Sequence, residues 1–348
     1  VSRFHSEMFQ KLLAFLTVVV FVSAAGNSCK IGKVINKPVI DGTPVYWPAS
    51  WNETQPAPQL EKEQSCSWYV TIPRGYYAKL IISGKTTDKD SRFQTVDSAG
   101  NLIQTTHEKM VPYYFPASKF TLAVSNEGSA TFAFKVVWWP LPTEKYVDIV
   151  ASIGQVINVT ETVVAMEYAA PGGITLLTFP EDLKNYNSLR STLIYDGSSL
   201  TSATYVSNLF LLNQSKKQWT SSQDGIVVVN VEASRSMNKL LIQGSVYLAG
   251  IDEIVELHPQ PNSIYNGTVN AGAHMSSLVA VSDLELQMID VQMKDDSTVS
   301  VYYGSPDAFT LDKTYTGAEL KKALPLPFGG YFVQFVVSSG KAVFTFKS

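Results

Sequence analysis

The sequence predicts an almost all-β protein made of tandem β-sandwiches. Most of its 348 residues fall in short alternating runs rich in Val, Ile, Thr and aromatics, broken every ten residues or so by Gly, Pro, Asn or Ser. One strand–turn–strand pattern then recurs three times along the chain, as a tandem array of similar modules requires. With 45% hydrophobic and 16% charged residues, the chain can fill two or three separate cores.

The elements follow in chain order. A basic residue, Lys11, precedes an apolar run over 12–22, and Ser23, Ala24 and Ala25 come after it. Basic, then apolar, then small is the order of a secretory signal peptide. Met8 reads as its start, Val1 to Glu7 as an upstream extension and Gly26 as the mature N-terminus. The run is about half of the ~20 apolar residues that a spanning helix needs, and no later segment is as apolar, so no transmembrane segment is expected. Export predicts a disulfide between Cys29 and Cys66, the two cysteines of the chain, and closing that loop stabilises by roughly 4 kcal/mol in the chain-entropy estimate. Secretion also makes the Asn-x-Ser/Thr triplets at Asn52, Asn158, Asn213 and Asn266 candidate glycan acceptors. Asn266-Gly267 reads as a turn dipeptide, whereas Asn158 lies in an alternating stretch and is the least certain acceptor.

The recurrent unit reads as a hairpin. Its first copy is 120–125, a turn at 126–128 and 131–138, with Phe132, Phe134, Val136 and Trp138 on one face. The second is 226–232 with 239–247, and the third 331–337 with 341–347. A strand ending in a small turn stands ahead of each, at Val96-Asp97-Ser98, Tyr195-Asp196-Gly197 and Tyr302-Tyr303-Gly304. The spacing divides the chain into 26–141, 142–257 and 258–348, after the extension and signal peptide over 1–25. The one clear helix signal is Thr316-Gly-Ala-Glu319 ahead of Leu320 to Leu324, a capping box stopped by Pro325. Residues 284–293 fit either a strand or one helical face and are read as a strand.

The string Ser-Cys-Ser-Trp-Tyr-Val-Thr-Ile-Pro-Arg-Gly-Tyr-Tyr at 65–77, Val96-Asp97-Ser98 and Val137-Trp138-Trp139 resemble the CUB-like domain of secreted nematode proteins. Cys29 and Tyr46-Trp47-Pro48 fit the same pattern, so the resemblance spans roughly 29–141. In the second module Tyr195-Asp196-Gly197 and Ser-Ser-Gln-Asp-Gly-Ile at 221–226 keep the order of CUB signatures without cysteines, and the third module resembles it more weakly. The resemblance implies jelly-roll sandwiches, an extracellular location and, for the nematode group, a link to epithelial innate immunity.

Many CUB domains hold calcium with an acidic residue six positions before the Asp-Gly aspartate. Here Arg190 stands at that offset from Asp196, Asp90 lies seven before Asp97, and Tyr303 replaces the third aspartate, so no metal site is expected. Catalytic motifs and cofactor fingerprints are absent. His107, His258 and His274 lack ligand spacing, and Glu181-Asp182 and Asp295-Asp296 are adjacent pairs that cannot face each other across a scissile bond. A net charge of -3 without basic runs excludes nucleic acid as a partner. Adjacent aromatics on a strand point to opposite faces, so one of Tyr76/Tyr77, one of Tyr113/Tyr114 and Trp139 become candidate ligand-facing rings, unless a neighbouring module covers them. These readings converge on a non-enzymatic secreted glycoprotein that binds an extracellular protein or glycan. A structural matrix or coat protein and an unrecognised hydrolase are the alternatives.

Overall fold

The computed structural model describes residues 29–37, 41–146, 154–215 and 218–348. The signal-peptide reading over 1–25 lies outside them. The described chain forms six sheets, paired into three sandwiches of the same strand order. The first sheet of module 1 runs Lys33–Ile35, Cys66–Thr71, Lys119–Ser125, Arg92–Val96, Leu102–Thr105. Its second sheet runs Val45–Trp47, Ala130–Pro140, Tyr76–Thr86, with His107–Lys109 and Tyr113–Pro116 both on Tyr76–Thr86. Module 2 repeats this with Glu144–Tyr146, Val164–Ala169, Gly225–Asn230, Thr192–Asp196, Thr204–Asn208, and then Gln155–Asn158, Lys239–Gly244, Ile174–Phe179, Trp219–Thr220. Module 3 has Ile251–Leu257, Met275–Val281, Phe332–Val337, Thr298–Tyr302, Leu311–Thr316, and Ile264–Ala271, Gly340–Lys347, Leu286–Gln292, Leu326–Phe328.

Every module opens with an edge strand that pairs parallel to the next strand in its sheet, and all other pairings are antiparallel. In module 1 the Cys29–Cys66 disulfide anchors that opening segment, and Gly32 N–H donates to Ser67 Oγ at 2.8 Å. The third sandwich begins with Ile251–Leu257, seven residues before the boundary at 258 that the sequence spacing suggests, because this strand pairs with Met275–Val281.

The three expected hairpins are not hairpins. Lys119–Ser125 and Ala130–Pro140 lie in opposite sheets, as do Gly225–Asn230 and Lys239–Gly244, and Phe332–Val337 and Gly340–Lys347. The chain arches over the core at each turn, so both strands bury one face against the other sheet. Phe132, Phe134, Val136 and Trp138 do share the buried face, at 1% exposure or less. Alternation fixes which side chains point inward but not which sheet the strand joins. Asn126, fully buried in the first arch, donates to the Glu61 carbonyl at 2.6 Å and ties the turn down.

Helix Gly317–Ala323 carries the expected capping box. Thr316 Oγ1 accepts from Glu319 N–H at 3.2 Å, and Thr316 N–H donates to Glu319 Oε2 at 2.8 Å. The backbone and hydroxyl of Thr316 hold the Glu319 carboxyl below the usual range. Residues 286–292 are a strand, as read. Asn266-Gly267 is mid-strand, not a turn. A Cβ on Gly267 would stand 2.5 Å from Leu278 Cδ2, so the glycine is there because the two sheets approach closely at that point.

The modules stack face on face. The outer side of the second sheet of module 1 packs on the first sheet of module 2, where Tyr77 and Tyr114 join Leu193, Tyr195, Tyr205, Val227 and Val229 in one buried cluster. The second sheet of module 2 packs in the same sense on the first sheet of module 3, through Leu177, Phe179, Leu241, Val279 and Val281. Gln243 spans that second joint, donating to Ser305 Oγ at 3.0 Å and Gln334 Oε1 at 3.1 Å.

Candidate binding cleft on the middle module

The aromatics singled out in the sequence mostly serve the first joint. Tyr77 (7% exposed), Tyr113 (2%) and Tyr114 (6%) are buried, so they are not ligand-facing; Tyr76 is half-buried and Trp139 is exposed. Tyr77 hydroxyl donates to the Val231 carbonyl of module 2 at 3.2 Å, and Lys79 pairs with Glu232. Burial, with Glu232 adding, pushes the Tyr77 phenol up to about 12, and burial also raises Tyr113, Tyr114, Tyr195 and Tyr205. Arg190 is itself 7% exposed, with its guanidinium 4.0 Å from the Tyr113 ring centroid and 4.6 Å from that of Phe210. Its position six residues before Asp196 therefore serves module packing.

The turn after the fourth strand of each first sheet occurs three times, with three fates. In module 1, Asp97 is buried and fully engaged. Its Oδ1 accepts from Ala99 N–H (3.0 Å) and Asn101 N–H (2.9 Å), and its Oδ2 from Asn101 Nδ2 (2.8 Å) and the Tyr205 hydroxyl of module 2 (3.0 Å). In module 3, Tyr303 replaces the aspartate and the turn reaches Gln243 of module 2 through Ser305. The copy in module 2, Asp196-Gly197-Ser198, lines an open space.

That space is a cleft of about 680 Å³, lined by Asp196, Gly197, Ser198, Ser202, Thr204, Ser222, Gln223 and Asp224 among others. The two motifs of the second module, 31 residues apart at most in sequence, meet here: Ser222 N–H and Oγ donate to Asp196 Oδ2 at 3.0 and 2.6 Å. Asp224 Oδ1 accepts from Gly172 N–H at 3.0 Å. Gly197 has φ +130°, which L side chains rarely adopt, and its N–H donates to the Gly225 carbonyl at 2.9 Å. Asp196 Oδ1 is buried without a hydrogen-bond partner. The cleft offers carboxylates and hydroxyls but no aromatic wall. In the sequence the motifs at 195–197 and 221–226 are ordered signatures, and nothing local marks them as a site.

Among the described residues, no three His, Cys, Asp or Glu side chains gather as a metal site would require. His258 Nε2 lies 3.0 Å from Glu256 Oε2, and His107 Nδ1 lies 3.0 Å from Thr106 Oγ1. Asp295 pairs with Lys321, and Asp182 accepts from Lys184 N–H, so these carboxylates serve local structure. Of the sequons, Asn52 and Asn266 are exposed, whereas Asn158 and Asn213 are half-buried.

Residues 24–142 match the model of the CUB-like domain family. Similar solved structures include the CUB1-EGF-CUB2 domains of rat MASP-1, at 7% identity and TM-score 0.24, covering 61% of this chain and 100% of that one. The CUB1-EGF-CUB2 domain of human MASP-1/3 stands at 8% and 0.23, covering 58% and 98%. The full extracellular region of zebrafish Gpr126/Adgrg6 stands at 9% and 0.23, covering 92% and 52%. No curated protein matches.

Proposed function

We propose that this chain, whose N-terminal third is a CUB-like domain, is a secreted, non-catalytic glycoprotein that recognises an extracellular protein by seating a cationic group in the middle-module cleft. The CUB-like domain is an extracellular protein-binding module, and the Cys29–Cys66 disulfide fits an oxidising compartment. No helix among the described residues is long and apolar enough to cross a membrane. A role at an epithelial surface in innate immune defence follows from the resemblance.

The observation that carries the reading is the pair of carboxylates, Asp196 and Asp224, in the lining of one open cleft that contains no lysine or arginine. A lysine or arginine side chain brings the opposite charge and the N–H donors that two carboxylates and the lining hydroxyls can accept. Glycan recognition is less well supported, because no aromatic ring lines the cleft and Tyr77, Tyr113 and Tyr114 are buried, which leaves half-buried Tyr76 and exposed Trp139.

The test is a screen of the chain, expressed from Gly26 in a secretory host, on arrays of Lys- and Arg-bearing peptides and of glycans, with calcium and with chelator. Saturable peptide binding that Asp196→Asn weakens at least tenfold supports the proposal. Glycan binding indifferent to Asp196→Asn refutes it.

A further inference from the structure

Each joint in the stack follows one rule: the second sheet of one module covers the first sheet of the next. Among the described residues, a stack of three leaves one first sheet uncovered, in module 1, and one second sheet uncovered, in module 3. The two free faces differ in chemistry.

On the first sheet of module 1, one register row crosses all five strands: Val34, Tyr69, Thr121, Val96 and Leu102. Val34 is 62% exposed, Tyr69 43% and Leu102 50%. The topologically matching row in module 2 includes Val227, Tyr195 and Tyr205, and all three are buried beneath module 1. In module 3 it includes Val279 and Gln334, buried beneath module 2. In each case the row passes, on its fourth strand, through the residue before the Asp97, Asp196 or Tyr303 turn, so the three rows hold the same place in their sheets, with Glu167 of module 2 and Val279 of module 3 where module 1 has Tyr69.

The free sheet of module 3 is a terminal cap. Across it the row Thr268, Val343, Gln292 takes the place of the Val156, Leu241, Leu177 row with which module 2 docks. Asn266, Asn270, Gln287, Lys341 and Lys347 are exposed around it, and Asn266 is a sequon. Ile264, 65% exposed, is the one strongly exposed large apolar side chain among these described residues, so a second copy of the chain offers module 1 a mostly polar donor face.

We infer that the outer face of the first sheet of module 1 is a docking surface for a β-sandwich of another protein, which lays an apolar sheet face across the Val34–Leu102 row. Lys119 and Arg92 stand on the same face as that row, so the partner's rim is acidic, as Glu232 is toward Lys79 at the first joint. The Cys29–Cys66 disulfide holds the edge of this surface in place. None of the residues of this row lines the middle-module cleft.

A donor probe is made from the full chain itself. Thr268→Val, Gln292→Leu and Asn266→Gln uncap module 3, and Tyr69→Glu blocks the probe's own module 1 face. Mixed with the unaltered chain, the probe is expected to form a 1:1 complex in sedimentation analysis, with slowed hydrogen exchange over Cys66–Thr71 of the unaltered chain. Tyr69→Glu in that chain is expected to weaken the complex at least tenfold. No complex at roughly 100 μM, a concentration that detects even weak specific interfaces, overturns the inference, as does a complex indifferent to Tyr69→Glu. Self-association of the unaltered chain that Tyr69→Glu abolishes overturns the choice of partner and names a second copy instead.

Discussion

Replacing Tyr205 with Phe removes one hydroxyl and leaves the ring in its cluster with Tyr195, whose centroid lies 5.6 Å away. The lost bond runs between modules, from the phenol to Asp97 Oδ2 at 3.0 Å, with both residues buried. A hydrogen bond to a charged acceptor contributes about 1.5–3 kcal/mol. Asp97 keeps its donors from Ala99 and Asn101, so its carboxylate is not orphaned and the loss falls near the lower end, about 1.5–2 kcal/mol. Urea unfolding should show a lower midpoint at unchanged slope. A double-mutant cycle with Asp97→Asn isolates the pair from the packing that each variant disturbs. Coupling below about 0.5 kcal/mol would refute the reasoning, because two independent sites already add to within that margin.

The tyrosines buried at the first joint favour the neutral phenol, so their contribution to stability is complete below the unfolded value near 10 and is lost as pH rises toward the folded value, about 12 for Tyr77. An absorbance titration should resolve a late-ionising group of phenols, and stability measured alongside it should fall across that window. Gly267→Ala forces a methyl against Leu278 and should destabilise module 3 by about 1–3 kcal/mol in thermal unfolding, whereas Ala at exposed Gly272, where the space is open, should not. Peptide mapping of glycans should find Asn52 and Asn266 highly occupied and Asn158 poorly, because Asn158 Oδ1 is buried and Nδ2 lies 3.1 Å from Met237 Sδ.

Much of the fold was legible because it is encoded locally. The Thr316/Glu319 capping box needs four consecutive residues, and the inward face of 131–138 is written in its alternation. What the sequence could not show depends on contacts far along the chain. Sheet membership separates an arch from a hairpin, and both have the same alternation and the same turn residues. Tyr77 and Tyr114 look like surface rings within module 1 alone, and only strands of module 2, far along the chain, bury them. Asn266-Gly267 has turn chemistry, but the glycine answers to Leu278 across the sandwich, which no local pattern reveals.

The stacking rule also determines where the middle module can meet a ligand. Both of its sheets are covered, the first by module 1 and the second by module 3, and its strands Gly225–Asn230 and Ile174–Phe179 are buried at every position. A sandwich in this position offers a partner only its edges and strand ends. At its strand ends lies the Asp196 turn, whose counterpart in module 1 already holds a phenol from its neighbour. The same turn thus closes a joint where it reaches a side chain of the neighbouring module and lines an acidic cleft where it does not. Whether a module packs or binds is then set by its place in the stack as much as by its own residues.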